Sequence, residues 1–338
     1  LSSFDGDCEG VMPVDLDGPA PPSAVPGLFV GHNCGPSLVH NEVEYFTMVP
    51  NFTAGTATFT GPHAITVSSF DINQANIPQP SGPALDDLAF FTMYRPGFRD
   101  LGDRFAMVLT HTVDTNSPAN KAGIRWYELT DASRTGTAGS WSLRQEGTYS
   151  PDSDNRWMPA IAMNKDGDIG LMYTVSSSST FPSIRYTGRF ENDPLGQMTV
   201  TEETIIAGTG SQTGTSRWGD YASLSVDPSN DLDFCGTHEY VQTTGSFNWW
   251  TRIFSFDLTP PTPGAIDITV TPASPPVTVP PGGGSFTYEL KIENTGGSSV
   301  AFQVWNNITN PGGGTVTLRG PFSTNFPPGR VFTRNFTQ

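Results

Sequence analysis

The chain has 338 residues, 36% of them apolar, with 36 glycines and 30 prolines. That is enough apolar side chain for one large or two ordinary cores, and too much glycine and proline for a helical protein. Its formal charge is −16 and its lysines are Lys121, Lys165 and Lys291; it lacks the basic face of a nucleic-acid binder, and no apolar run nears the eighteen residues of a membrane span.

Residues 1–27 are rich in Asp, Gly and Pro (DGDCEG, VDLDGPAPPSAVPG) and cannot build a core, so they read as an extended arm. The chain opens at Leu1 with neither initiator methionine nor leader pattern, as a trimmed product would, and export has to be inferred. Cys8 in the arm and Cys34 beyond it can form a disulfide or remain free thiols. From residue 28 to 258 the text is strand and turn. EVEYFTMV alternates at Val43, Tyr45, Thr47 and Val49, and ATFTG and AITVSSF follow.

A repeated hairpin dominates this region. Ile161, Met163, Asp168, Ile169, Leu171 and Thr174 match Leu224, Val226, Asp231, Leu232, Phe234 and Thr237 at a constant offset. Arg156-Trp157 and Arg217-Trp218 precede the two copies, and strands carrying Arg185 and Arg252 follow them; GIRWYEL supplies Arg125 at the same place in an earlier unit. A period of about 60 residues without helical patterning predicts sheets stacked radially, a β-propeller. The turns Asp166-Gly167 and Asn230-Asp231 fall where hairpins need positive φ.

LTPPTPG makes residues 259–264 a stiff linker. Residues 265–338 then give five or six short alternating strands, the pattern of an immunoglobulin-like β-sandwich that lacks its last strand. The predicted fold class is therefore all-β, a propeller followed by an incomplete sandwich.

RWGDYASLSVDP, THEYV and WWTRIFSF, with IPQP, AGIRWYEL and SIRYTGR upstream, resemble a family of large secreted bacterial proteins that carry a sialidase-like (neuraminidase-repeat) propeller and immunoglobulin-like modules. The resemblance spans about Val43 to Phe256 and implies fold and export to the cell surface or beyond. Sialidases use three arginines, a tyrosine nucleophile assisted by glutamate, and an aspartic acid; that set cannot be placed on this sequence, and no strict Asp-box is present.

Candidate sites follow. Trp249 and Trp250 offer platforms for a sugar ring. Asn164, Asp166 and Asp168 have the spacing of calcium ligands, against the same residues' use in a tight turn; no other cofactor is expected. His238 and Glu239, adjacent on a strand, point to opposite faces and read as packing. Asn51, Asn307 and Asn335 begin N-glycosylation sequons, and Thr259 and Thr262 suit O-glycans. The expectation carried forward is a non-catalytic extracellular adhesive protein. In it the arm's Val11, Val14 and Leu16 complete the sandwich of the next copy, building a filament by strand addition. The alternatives are a glycan-binding module and a degenerate sialidase-like glycoside hydrolase.

Overall fold

The computed structural model describes residues 11–32, 39–73, 76–116, 120–258, 266–273, 287–297, 299–309 and 315–337, with backbone alone for 267, 272, 303–309 and 315–323. The described residues form strands and turns without a helix. The chain divides into two compact units, Leu1–Leu258 and Thr259–Gln338.

The first unit begins with β1 (Met12–Pro13) and β2 (Asp15–Asp17). A meander of β3 (Gly27–His32), β4 (Val39–Asn51) and β5 (Thr56–Asp71) makes blade 1, with β1 paired to β3. Blade 2 comprises β6 (Gly97–Asp100), β7 (Phe105–Asp114), β8 (Ala122–Asp131) and β9 (Ser142–Tyr149). Blade 3 comprises β10 (Asn155–Met163), β11 (Ile169–Ser176), β12 (Ser183–Arg189) and β13 (Val200–Ile206). Blade 4 has three strands, β14 (Ser223–Val226), β15 (Phe234–Tyr240) and β16 (Trp250–Phe256). Within each blade neighbours are antiparallel, the arrangement expected of a β-propeller.

The blades bury their faces on one another. Every residue of β7, β10 and β11 is buried. Ile124 and Trp126 of blade 2 pack with Ile161, Leu171 and Tyr173 of blade 3; Ala160, Ala162 and Met172 pack with Leu224, Phe234 and Phe256 of blade 4. Removing such side chains from water contributes about 1.5–3 kcal/mol each. Gly170 is glycine for contact reasons, since a Cβ there would lie 2.8 Å from the Phe234 ring. The hairpin turns behave as the sequence requires, with Gly167 at φ +86 and Asp231 at φ +60.

The arginines of blades 2 and 3 hold the outer strands of their own blades. Arg125 pairs with Glu146, which also accepts from the Ser68 amide of blade 1 at 2.9 Å. Arg185 and Arg156 both bind Glu202, at 2.6 and 2.7 Å, and the Tyr173 hydroxyl donates to the same carboxylate at 2.7 Å. Tyrosine, glutamate and arginines thus meet, in the side-chain types of a sialidase nucleophile. Tyr173 and Arg156 are wholly buried, however, and burial drives the phenol well above its ordinary pKa. The phenol is kept neutral and away from any substrate.

The arm does not act as a free donor. β1 pairs with Val30 and Phe29, and β2 runs parallel to β6 from Asp15 opposite Gly97 to Asp17 opposite Arg99. Val14 packs on the blade 1 core, and Arg95 binds Asp15 at 3.1 Å and Asp17 at 2.7 Å. Val11 and Val14 are half-buried and Leu16 is exposed. β1 and β2 are thus paired within their own chain, and residues 11–17 would have to leave β3 and β6 to be donated to a neighbour.

The second unit holds two antiparallel sheets. One is ordered β17 (Ile266–Pro272), β18 (Thr287–Asn294), β21 (Val331–Thr337); the other pairs β19 (Val300–Thr309) with β20 (Thr315–Phe326). Asn294 Nδ2 links the sheets by donating to the Phe326 carbonyl at 2.8 Å.

Candidate active site

Blade 4 departs from blade 3 at one end, and a carboxylate cluster sits there. Arg156-Trp157 lies at the start of β10 and Arg217-Trp218 in the segment ahead of β14, and the two indoles meet at 6.3 Å in the apolar cluster with Ile77, Leu85, Met93 and Met158. After tryptophan, blade 3 has Met158-Pro159-Ala160 before the matched Ile161. Blade 4 has Gly219-Asp220-Tyr221-Ala222-Ser223 before Leu224, two residues more. Met158 and Gly219 both have positive φ, +49 and +62, so the chain turns alike and then bulges outward in blade 4. The bulge carries Asp220 and Tyr221, the latter 88% exposed.

Three segments converge on the bulge. β14 begins with Ser223 opposite Thr237, so residues 219–222 lie at the end of β15 that bears Glu239. The Gly219 amide donates to Glu239 Oε2 at 3.2 Å. The segment between blades 1 and 2 is tied in by Gln79 and Gln212, which exchange two hydrogen bonds of 2.7 and 2.9 Å. The Asp86 amide donates to the Ser216 carbonyl at 2.9 Å. Gln212 bridges Gly245, anchoring the turn that carries Phe247, Trp249 and Trp250.

Asp86, Asp220 and Glu239 therefore form one electrostatic group. Burial first, and then the neighbouring Asp220, raises the Asp86 carboxyl to about 6; its Oδ1 is buried without a hydrogen-bond partner. Glu239 is raised too, by burial and then by Asp220. Asp220 itself is ion-paired with Arg217. A carboxyl whose pKa is raised toward neutrality, beside one held by a cation, is the division of labour that acid–base chemistry needs. Among the described residues no group of three or more His, Cys, Asp and Glu side chains is arranged to hold a metal ion.

His238, adjacent to Glu239, faces inward. Its Nδ1 accepts from the Glu239 amide at 2.8 Å, which places the proton on Nε2, 2.9 Å from the Met158 carbonyl. Burial lowers its pKa to about 4. It packs, as two adjacent strand residues on opposite faces require, while Glu239 looks out into the cluster.

The other expected positions lie elsewhere or stand alone. Trp249 and Trp250 are 40% and 50% exposed, with the Phe247 ring 6.1 Å from Trp249; Tyr240, next to Glu239, is the register partner of Trp250. Asn164 Oδ1 accepts the Asp166 and Asp168 amides at 3.0 Å each, Asp168 Oδ1 accepts the Glu191 amide, and Asp166 is exposed, so these oxygens close a turn. Asn51 and Asn335 are exposed. Cys8, Cys34, Thr259, Thr262 and the Asn307 side chain lie outside the described residues. Neither Asp86 nor Asp220 is among the candidate residues that the sequence singles out. The signal that could have found the site was the two-residue break in the repeat.

No family model matches the chain, and no curated protein matches its sequence. Among solved structures it is similar to a GH43 endo-arabinanase from Bacillus licheniformis, at 12% identity and TM-score 0.34 over 75% of this chain and 76% of that one. It is similar also to the GH93 α-L-arabinofuranosidase of Fusarium graminearum (13%, TM-score 0.34, 80% and 67% covered) and to the α-L-arabinanase of Penicillium chrysogenum (10%, TM-score 0.32, 70% and 72% covered). All three are glycoside hydrolases. The expectation of a non-catalytic filament protein is corrected here, since the arm docked on its own chain and the carboxylate cluster run against it. At this identity and TM-score the likenesses transfer no residue role and no substrate.

Proposed function

We propose that the first unit is a glycoside hydrolase whose acid–base machinery is Asp86 and Asp220, with Glu239 beside them. The observation that carries this reading is the paired environment of the carboxyls: Asp86 raised to about 6 by burial and Asp220, and Asp220 held by Arg217. Glycosidic cleavage needs one carboxylic acid to protonate the leaving oxygen and one carboxylate to act as base or nucleophile on the opposite face of the sugar. Asp86 is the acid and Asp220 the carboxylate; Glu239 adds negative charge that favours the oxocarbenium-like transition state.

The substrate is a neutral glycan. Three carboxyls face one arginine at the site and the whole chain carries −16, so a uronic or sialic acid would be repelled. Tyr221, Phe247, Trp249 and Trp250 supply exposed aromatic faces on the same blade for stacking sugar rings. An extracellular setting suits a polymeric substrate of this kind, and the two sheets of the second unit suit an appended immunoglobulin-like module. The test is turnover of a panel of neutral aryl glycosides and linear polysaccharides, arabinan among them. Cleavage by the wild type, reduced about 10^2–10^4-fold in Asp86→Asn and in Asp220→Asn, supports the assignment. Aromatic-dependent binding without cleavage would leave a glycan-binding module in its place.

A further inference from the structure

Blades 2 and 3 each end on a fourth strand, and among the described residues blade 4 does not. In blade 2 Arg125 pairs with Glu146 of β9 and stands opposite Thr148. In blade 3 Arg185 pairs with Glu202 of β13 and stands opposite Thr204. Both outer strands thus read Glu-x-Thr, with the threonine facing the arginine and the glutamate two residues earlier. Arg252 of β16 stands opposite His238 as Arg125 of β8 stands opposite His111, two positions from the place of Arg185 in the repeat. Yet among the described residues β16 is the last strand of its sheet and Arg252 makes no ion pair. Burial follows the same division. Every residue of β8 except Thr130 is buried, and five of the seven in β12 are, whereas in β16 Phe256 alone is, and Ile253 is 82% exposed.

We propose that β16 takes up an extended segment of another polypeptide as the missing fourth strand. It runs antiparallel, with a threonine or serine opposite Arg252 and a glutamate two residues before it. Backbone hydrogen bonds along the open edge supply affinity. The Arg252–carboxylate pair fixes the register, because a shift by one residue would turn the glutamate to the other face. Charge selects an acidic segment, since an unpaired arginine rejects a basic one. A folded copy of this chain does not offer its own versions, because β9 and β13 are already paired within their blades. The inference is independent of the hydrolase reading, and Asp86→Asn leaves it untouched.

The probe is a soluble peptide carrying the β13 sequence Val-Thr-Glu-Glu-Thr-Ile-Ile, added to the full chain and followed by hydrogen exchange and by Trp fluorescence. Saturable binding is expected, with slowed exchange in residues 250–256. Arg252→Glu should weaken it about tenfold or more, and lysine in place of the peptide's first glutamate should recover binding to that variant. Absence of saturable binding, affinity indifferent to Arg252→Glu, or protection confined to other strands would each overturn the proposal. So would β16 protection in the peptide-free chain that disappears when dimers seen by sedimentation are diluted, because a second copy would then be the occupant.

Discussion

Asp86→Asn separates electrostatic cost from packing with little change of shape. The native carboxyl is displaced from 3.8 to about 6, so between those values the folded chain holds a proton that the unfolded chain has lost. Wild-type stability therefore falls as pH rises through that window and levels off above about 6. Full conversion of the displacement gives at most ~3 kcal/mol. The side chain is only half-buried, and water screens its field, so about 1–2 kcal/mol is the expected loss. Asparagine has nothing to ionise. Urea unfolding of both proteins at pH 4 and pH 7.5 should show the variant gaining about 1–2 kcal/mol relative to wild type at the higher pH. Part of that gain should vanish in an Asp220→Asn background, where burial, the largest cause of the displacement, remains and the second-largest is absent. A difference between the two proteins that is the same at both pH values would refute the reasoning.

Three further changes test other parts of the fold. His238 is buried and neutral with a pKa of about 4, so the native state refuses a proton that the unfolded chain accepts. Stability should drop by up to ~3 kcal/mol as pH falls from 6.5 to about 4, and His238→Gln should flatten that slope in pH-dependent unfolding. Glu128 is fully buried and binds Arg144 at 2.7 Å and Gln145 at 2.5 Å. Glu128→Ala leaves Arg144 with Glu191 at 2.7 Å as its remaining carboxylate and should cost about 1–3 kcal/mol by urea midpoint. Gly219→Ala puts a Cβ 3.1 Å from His238 and from Met158 at φ +62. It should cost about 1–2 kcal/mol by thermal melt, and an unchanged melt would show that the bulge is free to relax.

The architecture was legible because repetition is a physical statement: a hairpin unit that cannot bury its own faces must stack on its like. The Asp166-Gly167 turn followed from that period and the inward His238 from strand alternation, whereas Arg185 and Arg252 stand two positions apart in the register of their blades. The fate of the arm was not legible. Val14 and Leu16 alternate with Asp15 and Asp17 as a donor strand would, and only Arg95 and the edge of β6, distant in sequence, reveal that they are used at home. The carboxylate cluster escaped for a related reason. Asp86, Asp220 and Glu239 come from three separate segments, and nothing local marks them. What marks Asp220 is the place where blade 4 stops copying blade 3.

The pH dependence of kcat/KM on a neutral aryl glycoside tests the central claim most directly. An acid of pKa about 6 predicts activity that declines above pH 6, and a limb that disappears in the residual activity of Asp86→Asn. A profile flat from pH 5 to 8, or a limb that survives the substitution, would remove Asp86 from the chemistry.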